Sequence, residues 1–451
     1  MHMGKLFGTD GVRGQANRDP VTPEMAMQLG KAVAAVIGSS GHGSKRVVLG
    51  KDTRLSGYML ESALTSGLVS MGADVFLVGP VPTPAVAHLT RSLAADAGIM
   101  VTASHNPFDD NGIKIFNTDG YKLDDAQEEA ISERVLSGRI LSEHIRSDQL
   151  GKAYRVDDAR GRYIEFAKST IRSEKLNPLK IVLDAANGAA YQMAPYIFRE
   201  LGASVVKMNT DPDGYNINNG CGALHPEVMA GRVKECGADL GIALDGDADR
   251  VIFSDADGRV VDGDRILAIC ALAFRAVGTL AKDTLVCTSM SNLGLHDAMK
   301  RNGIAVEVTD VGDRYVIERM RARGLSLGGE KSGHLIFHDF ATTGDGIISA
   351  LQVMRVMKQS GKPLAALADC MEEYPQKLTG LKVLEKRPIS GIPELAAAIV
   401  DAEQALAGVG RIVVRYSGTE PKIRILVEAR TQALVDRWHD HVAAVIGRTL
   451  M

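Results

Sequence analysis

Apolar and polar positions along this chain repeat one pattern three times: a short apolar run, a segment of helical period, and another apolar run. From Pro23 to about Ile37, the residues Met25, Leu29, Val33, Val36 and Ile37 return near helical spacing, with Thr22 placed to cap and Pro23 at the first position. The run 46–50 then reads as a buried strand, 56–71 as a helix and 75–78 as the next strand. Short, wholly apolar strands separated by helices indicate a parallel sheet covered on both faces. The runs 180–184, 204–206 and 239–244 repeat the unit, and 284–287, 305–308 and 325–328 form a third set.

Past about residue 370 the pattern changes, because the strand candidates 411–416 and 422–428 follow each other closely, as in an α+β unit. The repeats are too irregular for a solenoid, and eight even strand–helix units of a TIM barrel are missing. Charge-dense 155–162, the turn 255–258 and the stretch before Tyr374-Pro375 set the expected divisions: 1–155, 156–256, 257–370 and 371–451. Four domains suit 451 residues, more than one core normally serves.

Composition narrows the function. A net charge of -3 with no long run of one sign offers no basic face for nucleic acid. Five cysteines, odd in number and never in a CxxC pair, suit free thiols in a reducing compartment. No apolar run approaches a membrane span, and the start lacks a signal-peptide core, so a cytoplasmic protein is expected.

Five polar loops carry candidate chemistry. Thr102-Ala103-Ser104-His105-Asn106-Pro107 follows an apolar strand, where a hydroxyl is held rigidly yet can face a ligand; the G-x-S-x-G elbow of a hydrolase is absent. Asp245-Gly246-Asp247-Ala248-Asp249-Arg250 places three carboxylates at alternate positions, an oxygen set for a hard cation such as magnesium. It is no EF-hand, since Arg250 and Ala256 stand where glycine and glutamate belong. Arg250 adds donors for an anion beside that cation.

Gly328-Gly329-Glu330-Lys331-Ser332-Gly333-His334 offers both acceptors and donors for sugar hydroxyls, and Glu330 rules out a P-loop. Arg415-Tyr416-Ser417-Gly418-Thr419-Glu420-Pro421, with Arg424, can form a nest for a phosphate dianion or a plain hairpin with solvated arginines. Gly8-Thr9-Asp10-Gly11-Val12-Arg13-Gly14 suggests a chain pressed against a ligand or another domain. A hydroxyl, a hard-metal set and a separate arginine site are what phosphoryl transfer needs, whereas no dinucleotide or Walker motif is present.

These five loops, in this order, resemble those of the α-D-phosphohexomutase superfamily along essentially the whole chain. Further likeness lies in Asn216-Ile217-Asn218, Cys221-Gly222, His225-Pro226-Glu227, Val311 to Val316 and Thr342 to Gly346. Within the superfamily, the chain is similar to the bacterial enzymes that interconvert glucosamine 6-phosphate and glucosamine 1-phosphate. The resemblance implies three similar mixed α/β domains plus a C-terminal α+β, TBP-like domain around a central cleft. It implies a phosphorylated Ser104, magnesium held by Asp245, Asp247, Asp249 and Ser104, and a hexosamine 1,6-bisphosphate intermediate. His105, Arg250, Lys114 and Arg13 would serve the transfer; Glu330, Ser332 and His334 the sugar; Arg415, Ser417, Gly418, Thr419 and Arg424 the phosphate that stays put. The implied partner is a small phosphosugar, with no nucleic acid or membrane, and a homodimer is compatible with this likeness. One departure is Lys331, where a neutral amide is expected in the glucosamine type. The alternatives are a phosphoglucomutase/phosphomannomutase, a phosphatase or phosphotransferase using Ser104, or a metal-dependent sugar-phosphate sensor.

Overall fold

Each of the three apolar repeats builds its own sheet. The computed structural model describes residues 6–8, 10–38, 44–172, 174–416 and 421–450. The first sheet contains β1 (Val12–Gln15), β2 (Lys45–Lys51), β3 (Ala73–Pro80), β4 (Ala97–Val101), β5 (Asp110–Asn117) and β6 (Ala153–Arg155), in the order β1-β5-β4-β2-β3-β6. The second contains β7 (Lys180–Asp184), β8 (Ser204–Met208), β9 (Leu240–Leu244), β10 (Val251–Asp255) and β11 (Val260–Val261), in the order β11-β10-β9-β7-β8. The third orders β12 (Thr284–Thr288), β13 (Ala305–Thr309), β14 (Leu327–Gly329) and β15 (Leu335–Phe337) as β13-β12-β14-β15.

The three share one plan: a parallel centre closed by an antiparallel hairpin, β4–β5, β9–β10 and β14–β15. The loops holding Ser104, the acidic triplet and Glu330 are the connections of those three hairpins. Repetition of the fold thus repeats the placement of the chemistry. Val47, Val48 and Leu49 of β2 are all fully buried, which is why that strand reads as continuously apolar.

The first helix spans Pro23–Val36, with the Met25 N–H donating to Thr22 Oγ1 at 3.2 Å. The turn at 255–258 connects β10 and β11 of the second sheet. Phe253 pairs with Val261 there, because the chain reverses at Gly258 and continues the ladder. Among the described residues no helix is long and apolar enough to cross a membrane.

By its contacts the chain divides into two units, Met1–Met290 with Gly303–Cys370, and Ser291–Asn302 with Met371–Met451. The first holds the three sheets. The second holds β16 (Gln376–Lys382), β17 (Gly410–Tyr416) and β18 (Lys422–Ala429), antiparallel in the order β16-β18-β17. Its core joins Ile423, Ile425 and Val427 of β18 to Leu395 and Leu406 of one helix and Val435 and Val442 of another, an α+β arrangement.

Candidate active site

Ser104 sits where the β4–β5 connection is most tightly constrained. Its φ is 52°, a left-handed conformation uncommon outside glycine, asparagine and aspartate, and surrounding bonds hold it there. The Ser104 N–H donates to Thr102 Oγ1 at 2.9 Å, and the Ser104 carbonyl accepts from Arg54 Nη2 at 3.1 Å and Asn218 Nδ2 at 2.9 Å. Arg54 and Asn218 also donate to the Asn106 carbonyl, at 2.6 and 3.0 Å. Arg54 is fully buried and paired with Asp52, which accepts from Thr102 Oγ1 at 2.6 Å. Burial raises the Asp52 carboxyl, and Arg54 and Thr102 only partly hold it down. Gly246 leaves room for this loop, since a Cβ there would lie 2.6 Å from the Ser104 carbonyl oxygen.

The Ser104 hydroxyl donates to Asp245 Oδ2 at 2.7 Å, joining the first sheet's loop to the acidic loop of the second. Ligand oxygens of Asp245, Asp247 and Asp249 lie within 4.8 Å of one another, and all three residues are buried. Burial, then the charges of Asp249 and Asp247, push Asp245 well above the ordinary carboxylate range. Burial would also raise Asp249, yet Lys114 and His334 carry it well below. Asp247 Oδ1 and Asp249 Oδ1 are buried with no hydrogen-bond partner. Two orphaned carboxylate oxygens in an all-oxygen set fit a hard divalent cation.

Cations surround the triplet. Lys114 Nζ lies 2.9 Å from Asp247 Oδ2, 3.0 Å from Asp249 Oδ2 and 3.3 Å from Asp10 Oδ2. Burial alone would lower its pKa, but Asp10, Asp247 and Asp249 reverse this and keep it an ammonium. Asp10 also pairs with Arg13 and, at 2.5 Å, with Lys122, which binds Asp313 Oδ2 at the same distance. Arg250 Nη1 meets His105 Nδ1 at 2.7 Å, and that nitrogen is 3.3 Å from Ser104 Oγ. Burial, then Arg250 and Arg13, lower the His105 pKa to about 4, so Nδ1 accepts from the guanidinium. Arg13 Nε and Arg250 Nε are buried donors with no acceptor.

In the third sheet's loop, Glu330 Oε1 accepts from the Gly312 N–H at 3.1 Å, and Ser332 is exposed. His334, expected to read the sugar, is buried, with Nδ1 3.7 Å from Asp249 Oδ1 and Nε2 3.5 Å from Asp313 Oδ2. Burial disfavours its charge and the two carboxylates favour it. The Gly344 N–H aimed at Nε2 at 3.0 Å opposes them, because a protonated Nε2 could not accept that bond. Lys331 Nζ lies 3.6 Å from Asp262 Oδ2, at the cap of the helix Gly263–Ala276, a partner distinct from those of Glu330.

In the second unit, Arg415 and Arg424 are cross-strand partners on β17 and β18. Ser417, Gly418 and Thr419 lie outside the described residues, as does Thr9. Sequence reasoning missed Asp52, Arg54, Thr83, Lys122 and Asp313. The available signal was Asp52-Thr53-Arg54 directly after β2, a strand-end position like that of Ser104.

Family models of phosphoglucomutase/phosphomannomutase cover the chain in four pieces: alpha/beta/alpha domain I over residues 4–139, domain II over 161–258, domain III over 262–374 and the C-terminal domain over 378–445. The chain belongs to this family. Among its relatives are proteins named phosphoglucosamine mutase from Geobacter sp. (strain M21) and Citrifermentans bemidjiense. Each is 56% identical over 449 residues, covering 99% of this chain and 99% of the other. A solved phosphoglucomutase/phosphomannomutase family protein from Burkholderia thailandensis matches with a TM-score of 0.82 at 27% identity, over 98% of this chain and 97% of that one.

Proposed function

We propose that this chain is a phosphoglucosamine mutase, interconverting glucosamine 6-phosphate and glucosamine 1-phosphate through phosphorylated Ser104 and a hexosamine 1,6-bisphosphate. The observation that carries the chemistry is the 2.7 Å bond from Ser104 Oγ to Asp245, which puts the hydroxyl beside three convergent carboxylates. The full-length likeness to phosphoglucosamine mutases supports the substrate.

In the first half-reaction the Oγ–P bond of phospho-Ser104 breaks as the free hydroxyl of the monophosphate forms its own O–P bond, and the hydroxyl's proton ends on the serine. After the bisphosphate turns end for end, the reverse step at the other carbon returns a phosphoryl group to Ser104. Asp245, Asp247, Asp249 and a Ser104 oxygen would hold magnesium, which supplies neutralisation of phosphoryl oxygen charge. Arg250 and Arg13 offer the partnerless Nε donors to the moving phosphoryl group. Lys114, as an ammonium, can supply a proton but not take one. His105 stays neutral and orients Arg250.

Glu330 and Ser332 read the sugar, with His334 acting from beneath, and a 2-ammonium group gains a charge-assisted bond at Glu330 that a hydroxyl cannot match. Arg415, Ser417, Gly418, Thr419 and Arg424 grip the phosphate that is not transferred, whichever carbon carries it. A cytoplasmic location suits this reading, and the domain divisions proposed are near 155, 256 and 370, with the second sheet's ladder running on to Val261. The test is kcat/KM on glucosamine, glucose and mannose 6-phosphates under identical magnesium and bisphosphate activation. Preference for glucosamine 6-phosphate is expected; equal or higher efficiency on the others contradicts the substrate while leaving the serine chemistry standing.

A further inference from the structure

Asp247 is held from outside its own loop. Thr83, the first residue of the helix Thr83–Ser92, donates its hydroxyl to Asp247 Oδ2 at 2.6 Å and its N–H to the Asp247 carbonyl at 2.9 Å. Thr83 is buried and stands between Pro82 and Pro84, whose rings fix φ on either side. The first N–H of a helix has no intrahelical acceptor, and the start of a helix favours negative charge. Asp247 meets both requirements.

The two oxygens of this carboxylate are treated differently. Lys114 Nζ takes Oδ2 at 2.9 Å, the same oxygen that Thr83 takes. Oδ1 is buried and has no hydrogen-bond partner. Every protein donor falls on one oxygen, and the other is left to a ligand that is itself an electron-pair acceptor. A carboxylate turns easily about its last bond, because that torsion is broad and nearly two-fold. The plane of the carboxylate must therefore be set by a neighbour, and the Thr83 hydroxyl is the rigid one placed to do so.

We infer that Thr83 is a positioning residue for the cation site: it locks Asp247 through Oδ2 so that Oδ1 faces a divalent metal. The inference rests on the reading of Asp247 as a cation ligand given above. Because Thr83 belongs to the first sheet's layer and Asp247 to the second sheet's loop, the same bond also fixes the acidic loop relative to Ser104.

The experiment uses the full chain and manganese(II) alone, with free ion followed by electron paramagnetic resonance, on wild type, T83V, T83S and D247N. Loss of an outer partner of a metal ligand typically weakens binding about 10–100-fold, and T83V is expected to do so. T83S keeps the hydroxyl and is expected to retain wild-type affinity. In parallel, kcat of T83V at fixed manganese falls more than KM changes, and added manganese restores part of it. Wild-type affinity in T83V, with D247N impaired, overturns the inference and leaves the reading of Asp247 intact. T83S impaired as much as T83V also overturns it, since the hydroxyl is then not the cause. If T83V does not fold, T83A takes its place beside T83S. Unchanged binding in D247N removes the reading of Asp247 itself, and the inference with it.

Discussion

Arg415 and Arg424 stand directly opposite each other across the antiparallel strands β17 and β18. Like charges at opposed positions destabilise a sheet, and on the proposed reading a phosphate dianion bound there would offset that repulsion. A charge-assisted contact is worth about 1.5–3 kcal/mol, so Arg415→Ala should raise KM about tenfold or more for every phosphosugar tested. Steady-state kinetics on glucosamine and glucose 6-phosphates check this. A change in preference between the sugars, without common weakening, would reverse the roles given to this site and to Glu330.

Lys331 is tied toward Asp262, while Glu330 faces the Gly312 N–H. The two side chains leave a turn, closed by the Gly333 N–H donating to the Glu330 carbonyl at 3.0 Å, toward different partners, so the departure at Lys331 need not touch the sugar. Lys331→Gln should leave the ratio of kcat/KM for glucosamine and glucose phosphates nearly unchanged, and Glu330→Gln should lower it. One decade of preference is only about 1.4 kcal/mol, so some glucose phosphate activity is expected in the wild type. A large shift from Lys331→Gln would place its ammonium at the sugar.

Arg54 is a buried cation whose Asp52 partner and carbonyl acceptors shape the Ser104 loop. Removing one partner of a buried pair typically costs about 3–5 kcal/mol. Arg54→Met should therefore lower unfolding free energy in urea by about that much, and lower turnover with it. Unchanged stability would show that the loop holds its shape without this residue.

His88 stacks on Phe166 with ring centroids 3.9 Å apart. Burial, then Arg91, lowers its pKa from 6.5 to about 4. Below 6.5 the unfolded chain takes up a proton that the folded histidine refuses, so stability is lost as pH falls from 6.5 toward 4. His105 contributes with the same sign. Melting temperatures across this window should fall less steeply for His88→Phe than for the wild type; superimposable profiles would contradict the buried neutral histidine.

The loops of the candidate site were legible because they are short and polar and follow apolar strands, and the repeat places each at the same hairpin. Ser104, the acidic triplet and Glu330 could be found that way. Thr83 and Lys122 could not, since each acts through a tertiary contact with a residue far along the chain and neither stands in a motif, while Arg54 and Asp313 stand in stretches that give no sign of the contacts they make. Thr83 reads in sequence only as a helix start between two prolines. Sequence likewise gives no sign of which side chains of the Glu330 loop turn inward, as that of His334 does.

Isotope transfer follows the phosphoryl group proposed to ride on Ser104. Protein charged with radiolabelled phosphate, freed of excess label and mixed with unlabelled glucosamine 6-phosphate, should lose its label to the sugar phosphate pool within one turnover. Ser104→Ala should take up no label and show no mutase turnover. Label that stays on the protein while isomerisation proceeds, or near-normal turnover in Ser104→Ala, would contradict the account.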